Sequence, residues 1–199
     1  MKSIKEKSIS ELEIQKSKFI TVLYPIHNIE EVKEALLEAK KEFPNATHYC
    51  YAYILDQNER CSDDGEPSKT AGMPMLNVLK MQDYQHILAI VVRYFGGIKL
   101  GAGGLVRAYT KAVTTALENI TPISLVPGMR YNIFFSYEQL KEIDHLLKNI
   151  SITEKKFDEV IQYQIELPIE SCETILQAIK SKTLKIEKKD HIFINDVLS

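Results

Sequence analysis

The sequence predicts an α+β protein built from two domains. Segments with the two-residue period of strands and segments with the helical period alternate along the chain, and their order changes near residue 125. Pro122, Pro127 and Gly128 interrupt any regular element there, so residues 121–128 are interpreted as a linker between a domain 1–124 and a domain 125–199. Of the 199 residues, 45% are hydrophobic and 26% charged, which is ordinary for a folded globular protein.

The first domain is expected to hold four strands and three helices. Alternating apolar residues predict strands at residues 8–14 and 19–26, and a tyrosine-rich run predicts a third at 47–55. The continuously apolar run 87–92 predicts a strand covered on both faces. The helices are expected from Asn28 to just before Pro44, around residues 75–81, and from about Gly104 to Glu118, with a polar loop between residue 56 and Gly72.

The first helix has a clear start signal and a clear buried face. Asn28 is its predicted N-cap, with Glu31 three residues later as a capping-box partner. The apolar face is predicted from the helical spacing of Val32, Leu36, Ala39 and Phe43.

The second domain shows a different order of elements. Strands are predicted at residues 129–135, near 150–156, at 160–167 and around 184–194, and a helix follows each of the first and third strands. Ser136 with Gln139 caps the first of these helices. The resulting order, β-α-β-β-α-β, is that of a ferredoxin-like domain.

Composition excludes several classes of protein. No apolar run approaches the ~20 residues of a membrane span, and the N-terminal lysines are not followed by an apolar stretch, so neither a membrane protein nor a signal peptide is expected. Cys50, Cys61 and Cys172 lack the spacing of a zinc site or a disulfide framework. We expect a cytoplasmic protein without a metal or another cofactor; the oligomeric state cannot be predicted.

The segment from Arg93 to Arg107, RYFGGIKLGAGGLVR, is the most informative part of the chain. It fails the Walker A pattern, because Ala102 stands where lysine is required, and it fails the dinucleotide-binding pattern, because Val106 stands where the third glycine is required. A glycine-rich turn that opens a helix can still offer backbone N–H groups to an anion. The alternative is a tight strand-to-helix crossing that needs glycine for its own packing.

Charge is distributed unevenly although the net charge is only −2. No acidic residue occurs from Tyr84 to Leu117, which contains Arg93, Lys99, Arg107 and Lys111. The last two are four residues apart, so they share one face of the predicted helix. The candidate anion-binding or nucleic-acid-binding residues are Arg93, Lys99, Gly101, Gly103, Gly104, Arg107 and Lys111.

The opposite charge is concentrated between Asp56 and Glu66. Asp63, Asp64 and Glu66 form a candidate docking or ligand loop. Their spacing is not that of an EF-hand. The three carboxylates could still bind a hard cation such as Mg²⁺, or two of them could serve in acid–base chemistry. Asx turns and helix capping are the simplest roles for such side chains.

The tyrosine-rich strand offers two further possibilities. Tyr49, Tyr51 and Tyr53 share one face, where they would either stack RNA bases or pack beneath a helix. His48 and Cys50 lie on the other face, but they lack further metal ligands and an orienting third group.

Five blocks of sequence resemble the IMPACT/YigZ family, in the family's order. They are SKFI at 17–20, ATHYCYAY at 46–53, SDDGEPS at 62–68, TAG at 70–72 with Pro74, and VVRYFGGIKLGAGGLVRAY at 91–109. One departure is Lys69, where the family's acidic loop leads us to expect glycine.

The resemblance implies a fold and a theme of function. It implies an N-terminal domain like domain IV of the translocation GTPase EF-G and like a small-subunit ribosomal protein, and a ferredoxin-like C-terminal domain similar to EF-G domain V. Eukaryotic relatives are associated with restraining a kinase that phosphorylates a translation initiation factor. The resemblance therefore implies a non-enzymatic, translation-associated regulator that binds RNA, the ribosome or a translation factor.

Two other functions remain open from the sequence. One is an enzyme acting on a small phosphorylated or carboxylated metabolite, with the glycine segment holding the anion and the acidic loop holding a metal or moving a proton. The other is a protein-docking regulator whose acidic loop meets a basic partner. Whether the acidic loop and the glycine segment lie together bears on both.

Overall fold

The computed structural model describes residues 1–195, which form an α+β fold with antiparallel sheets. They divide into two compact units, unit 1 up to Ser124 and unit 2 from Leu125. The elements in chain order up to the boundary are β1 (Lys2–Ser3), β2 (Ser8–Ile14), β3 (Ser17–Pro25), α1 (Ile29–Glu42), β4 (His48–Leu55), β5 (Asn58–Ser62), α2 (Gly72–Met81), β6 (Ile87–Tyr94) and α3 (Gly101–Glu118). The next strand is β7 (Ile123–Phe135).

Unit 1 is built on a five-stranded antiparallel sheet in the order β2-β3-β6-β4-β5. Strand β6 is central, and its residues from Ile87 to Arg93 are all buried. Side chains of α2 and α3 join the core on one face of the sheet, and α1 joins the core on the other. The prediction that residues 87–92 form a strand covered on both faces is confirmed.

The predicted start of α1 is also confirmed. Asn28 is the N-cap, and its Oδ1 accepts a hydrogen bond of 2.9 Å from the backbone N–H of Glu31. The Glu31 carboxylate accepts in return from the backbone N–H of His27 and from Asn28 Nδ2. These bonds satisfy donors that a helix N-terminus otherwise leaves free.

The tyrosines of β4 pack beneath α1. Tyr49, Tyr51 and Tyr53 join the core that contains Val32 and Ala39. A role for this face as a base-stacking platform is thereby excluded, since α1 covers it.

Three predicted boundaries in unit 1 are wrong. The polar loop after residue 56 contains strand β5, which pairs with β4 from Leu55↔Asn58 to Tyr51↔Ser62. The sequence did not predict β5 because an edge strand with exposed faces lacks the alternation of apolar residues that marks a strand. Helix α2 begins at Gly72 rather than near residue 75, and α3 begins at Gly101 rather than near Gly104. The glycines at both positions favour a loop in the sequence-based prediction, although glycine also occurs in the first turn of a helix.

Unit 2 has the order β-α-β-β-α-β that the sequence pattern predicts. After β7 come α4 (Leu140–Leu146), β8 (Ser151–Phe157), β9 (Ile161–Pro168), α5 (Cys172–Lys180) and β10 (Lys185–Asn195). Strand β7 pairs with β10 and β9, and β9 pairs with β8, all antiparallel. This is the ferredoxin-like arrangement.

The interpretation of residues 121–128 as a linker is wrong, because β7 begins at Ile123 and continues to Phe135. At Pro127 only β10 is paired with β7, since the pairing with β9 begins at Gly128. A proline fits a strand where one side is unpaired, because the missing N–H then costs no ladder hydrogen bond.

Candidate functional site

The glycine segment, residues 93–107, joins the end of β6 to the first two turns of α3. Gly103 and Gly104 are therefore helical residues rather than loop residues, and Gly101 is the residue at which α3 begins. Leu100 occupies the N-cap position, no side chain caps the helix, and no acidic residue lies in its first turn. The N–H groups of this turn point outward from an exposed, glycine-lined helix end.

The glycines of this segment serve two different purposes. A Cβ on Gly96 would lie 1.9 Å from the carbonyl oxygen of Lys16, so this glycine is required by the packing of the chain on itself. Gly97 and Gly101 have φ of 86° and 68°, and a Cβ on either would meet nothing within 4 Å. Internal packing thus explains why position 96 is glycine. Gly97 and Gly101, in contrast, border open space.

Three of the basic residues are exposed: Lys99, Arg107 and Lys111. An Arg107 guanidinium nitrogen lies 3.6 Å from the position that a Cβ on Gly103 would take, so this side chain folds back over the first turn of α3. One positive side chain and the N–H groups of the first turn are consequently close together at this end of the helix.

Arg93 has a different environment. It is 5% exposed, and its Nη1 donates a hydrogen bond of 2.6 Å to Glu66 Oε1. Its guanidinium carbon lies 5.4 Å from the ring centre of Phe19 and 5.6 Å from that of Phe95. Its charge is therefore neutralised below the surface, and the direct phosphate contact expected of Arg93 conflicts with this burial.

Glu66 connects the acidic loop, residues 63–66, to the glycine segment. It is 8% exposed, and its Oε1 also accepts 2.8 Å from the hydroxyl of Tyr109 on α3. Burial raises the pKa of Tyr109 far above its ordinary value, so the hydroxyl stays a donor. His48 Nε2 lies 3.9 Å from the other carboxylate oxygen. The acidic loop and the glycine segment thus lie together, joined through one carboxylate.

Asp63 lies nine residues before the start of helix α2, and its side chain caps the N-terminus of that helix. Its carboxylate accepts hydrogen bonds from the backbone N–H groups of Lys69, Ala71 and Gly72, at 2.8 to 3.0 Å. The Asp64 carboxylate accepts 2.6 Å from the N–H of Tyr49. The capping role considered for this loop is therefore the observed one.

These contacts limit the chemistry of the acidic loop. The carboxylates of Asp63, Asp64 and Glu66 all have protein partners, and a metal ion or a transferred proton would have to replace them. Within residues 1–195, no group of three or more His, Cys, Asp or Glu side chains is arranged to hold a metal ion.

The Cys50 thiol is not a nucleophile in this setting. It is fully buried, 3.0 Å from the carbonyl oxygen of Asp63 and 3.3 Å from the Tyr109 hydroxyl. Burial raises its pKa to about 12, which keeps the thiol protonated at neutral pH.

Sequence reasoning missed the exposed apolar residues of the segment, which are Phe95, Ile98 and Val106. Phe95 is 47% exposed, although it follows a continuously buried strand. The sequence signal for the exposure of Phe95 is its position immediately before Gly96, because a glycine there indicates that the strand has ended. The Phe95 backbone N–H donates 3.1 Å to Thr47 Oγ1, which fixes the residue at the start of the turn.

Within the described part of the chain, no helix combines the length and the apolar character that crossing a membrane requires.

Comparisons with known proteins agree on one family. The model of the Impact N-terminal domain matches residues 15–117, which contain every candidate residue above. The IMPACT family member YvyE of Bacillus subtilis is 41% identical over 162 residues, covering 76% of this chain and 75% of that protein. The family member YigZ of Escherichia coli is 42% identical over 140 residues, covering 68% and 69%.

One solved structure, described as the crystal structure of a hypothetical protein, matches most of the chain. It has a TM-score of 0.73 and 33% sequence identity, and the match covers 90% of this chain and 91% of that one.

Proposed function

Because the chain belongs to the IMPACT family, we propose that it is a non-enzymatic, translation-associated regulator that binds RNA of the translation machinery in the cytoplasm. The observation that carries this proposal is the exposed basic end of α3. There Arg107 folds over a first turn that has neither a capping side chain nor an acidic residue, and Lys99 and Lys111 are exposed on either side of it along the chain.

Phosphate groups fit this end of the helix on physical grounds. A phosphate accepts hydrogen bonds from free N–H groups and is attracted by the helix dipole and by nearby cations. The open space over Gly97 and Gly101 lets a backbone phosphate approach closely. Such contacts position a nucleic acid without reading its sequence.

The buried members of the site have a supporting role in this proposal. Arg93 and Glu66 hold the acidic loop, the end of β6 and α3 in one arrangement. We therefore assign Arg93, Glu66 and Asp63 to positioning the surface, and Lys99, Arg107 and Lys111 to contacting phosphate.

The family resemblance adds the theme of translation. We propose that unit 1 and unit 2 are the two domains of the protein and that they correspond to domains IV and V of EF-G. The ferredoxin-like order of strands in unit 2 supports the second correspondence.

The test is the double variant Arg107→Ala, Lys111→Ala, assayed by fluorescence anisotropy against short labelled RNA at several salt concentrations. We expect weaker binding, and a salt slope smaller by about 1.4, since each contact with single-stranded phosphate contributes about 0.7. The physical reason is that two fewer counterions are released.

The matched control is Lys33→Ala, Lys41→Ala, which removes the same charge from exposed positions on α1. It should bind like the natural protein. Equal losses in both double variants would show a general charge effect and contradict the assigned surface. Absence of RNA binding by the natural protein would contradict the proposed function itself.

A further inference from the structure

We propose that Phe95 is a stacking platform for one unpaired base of single-stranded RNA. This inference rests on the proposed function, and it adds a recognition element that phosphate contacts cannot supply: a preference for single strands over duplexes. Its basis is the column formed by Phe19, Arg93 and Phe95.

The column runs from the core to the surface. Phe19 is fully buried, and the Arg93 guanidinium carbon lies 5.4 Å from the centre of its ring and 5.6 Å from the centre of the Phe95 ring. Phe95 ends the column with 47% of its surface exposed. A stacked base would become the next layer, on the exposed part of the ring.

The platform is fixed before any ligand binds. Glu66 and the hydroxyl of Ser17 hold the guanidinium, at 2.6 and 3.4 Å. The Phe95 backbone is held by Thr47, and Gly96 beside it packs against the Lys16 carbonyl. Because the backbone at Phe95 is already held, stacking has to order only its side chain, which lowers the entropic cost.

The surroundings favour a nucleotide over an apolar protein segment. The first turn of α3, Lys99 and Arg107 belong to the same short segment as Phe95, and the exposed Lys111 lies one helical turn beyond it. A base on an aromatic ring with its phosphate on cations and N–H groups is the usual arrangement for single-strand binding. Bases in a duplex are stacked on one another and cannot reach the ring.

The chain contains no tryptophan, so Phe95→Trp introduces a single indole at the platform. We expect short oligoadenylate RNA to quench its fluorescence, and the same RNA annealed to its complement to leave it unchanged. The control is Phe157→Trp in unit 2, a phenylalanine 54% exposed, whose indole should not respond.

Affinity supplies a second measurement. Phe95→Leu keeps an apolar side chain but removes the ring, and it should weaken oligoadenylate binding about tenfold. The salt slope should not change, because no charge is lost. Phe95→Tyr should bind like the natural protein. Since Phe95 is half exposed, the melting temperature of each variant should stay close to that of the natural protein.

The outcomes separate this inference from the function on which it rests. If Phe95→Leu binds normally while Arg107→Ala, Lys111→Ala binds weakly, the stacking platform is wrong and the phosphate surface stands. If the duplex binds as tightly as the single strand, the platform is also wrong. An indole at position 95 that responds to an oligoglutamate peptide and not to RNA would assign the surface to a protein. If the natural protein binds no RNA, both proposals fail.

Discussion

Lys69 adopts a backbone conformation that its side chain does not favour. Its φ is 63°, in the left-handed region, where a Cβ clashes with the following carbonyl group. The family pattern led us to expect glycine here, and the structure supplies the reason. The conformation is held because the Lys69 N–H donates 2.8 Å to Asp63, the residue that caps α2.

Replacing Lys69 with glycine should stabilise the protein. Relief of the left-handed strain is worth roughly 1–2 kcal/mol, and the greater freedom of glycine in the unfolded chain offsets roughly half of it. We expect a net gain of about 0.5–1 kcal/mol, seen as a rise of about 1–4 °C in the melting temperature. Lys69→Ala is the control, since it removes the charge but keeps the strain. A similar gain from alanine would trace the effect to the charge instead.

At the scale of single residues, the sequence marked candidate positions but not the environment of each. Six of the seven candidate residues lie between Arg93 and Arg107, and Lys111 is one turn further along α3. Arg93 was counted as a surface charge because composition does not distinguish a buried guanidinium from an exposed one. Phe95 was passed over because its exposure depends on where β6 ends, and a continuous apolar run does not mark that point.

At the scale of elements, Glu66 is the residue that joins separate parts of unit 1. One carboxylate oxygen accepts from Arg93 at the end of β6 and from Tyr109 in α3, and the residue itself belongs to the acidic loop. All three side chains are buried. Removing one partner of such a buried ion pair destabilises a protein more than replacing both partners with apolar residues, because the remaining charge is left buried and unpaired.

Glu66→Gln should therefore be strongly destabilising. It leaves the Arg93 charge buried without its partner, at a cost of about 3–5 kcal/mol in the free energy of unfolding, measured by urea denaturation. The control is Glu59→Gln, which breaks the exposed pair with Lys80 and should cost less than about 1 kcal/mol. If the two variants lose similar stability, the buried pair does not hold these elements together. Replacing both Glu66 and Arg93 with methionine should recover part of the loss.

The elements that the sequence predicted well are those with a strong local signal. The cap of α1 and the apolar run of β6 are both observed where the sequence places them. Strand β5 and the first part of β7 were missed, because pairing with neighbouring strands outweighs their polar or proline-containing sequences. Such pairing is a tertiary effect that local propensity does not report.

At the scale of the whole molecule, the net charge of −2 does not report how charge is distributed. Arg93 is paired with Glu66 of the acidic loop, but Lys99, Arg107 and Lys111 are exposed within a stretch of chain that has no acidic residue. Overall composition could not predict this, whereas the acid-free stretch from Tyr84 to Leu117 could. Electrostatic attraction of an anion to these exposed charges would be screened by salt over about 10 Å.

Stability of the whole chain should fall at alkaline pH because of Cys50. Its pKa is about 12 when folded and 9.0 in its ordinary state, so the folded thiol keeps its proton where the unfolded thiol loses it. The contribution of the Cys50 thiol to the free energy of unfolding is fully present below pH 9. It is lost as the pH rises from 9 to 12, by at most about 1.4 kcal/mol for each pH unit.

Cys50→Ala removes this dependence on pH. Urea denaturation at pH 7 measures the packing lost with the thiol, and the same measurement at pH 10 should show a smaller deficit relative to the natural protein. An unchanged deficit at both pH values would mean that Cys50 does not titrate differently in the two states.

Gly96 has a consequence for how variation in this segment should be understood. A Cβ there would overlap the Lys16 carbonyl oxygen at 1.9 Å, so every other amino acid is excluded by geometry before any ligand is considered. Gly103 borders only the side chain of Arg107 and carries no such restriction. Retention of glycine at position 96 across related proteins therefore records selection for folding. Retention at position 103 would record selection for what the surface binds.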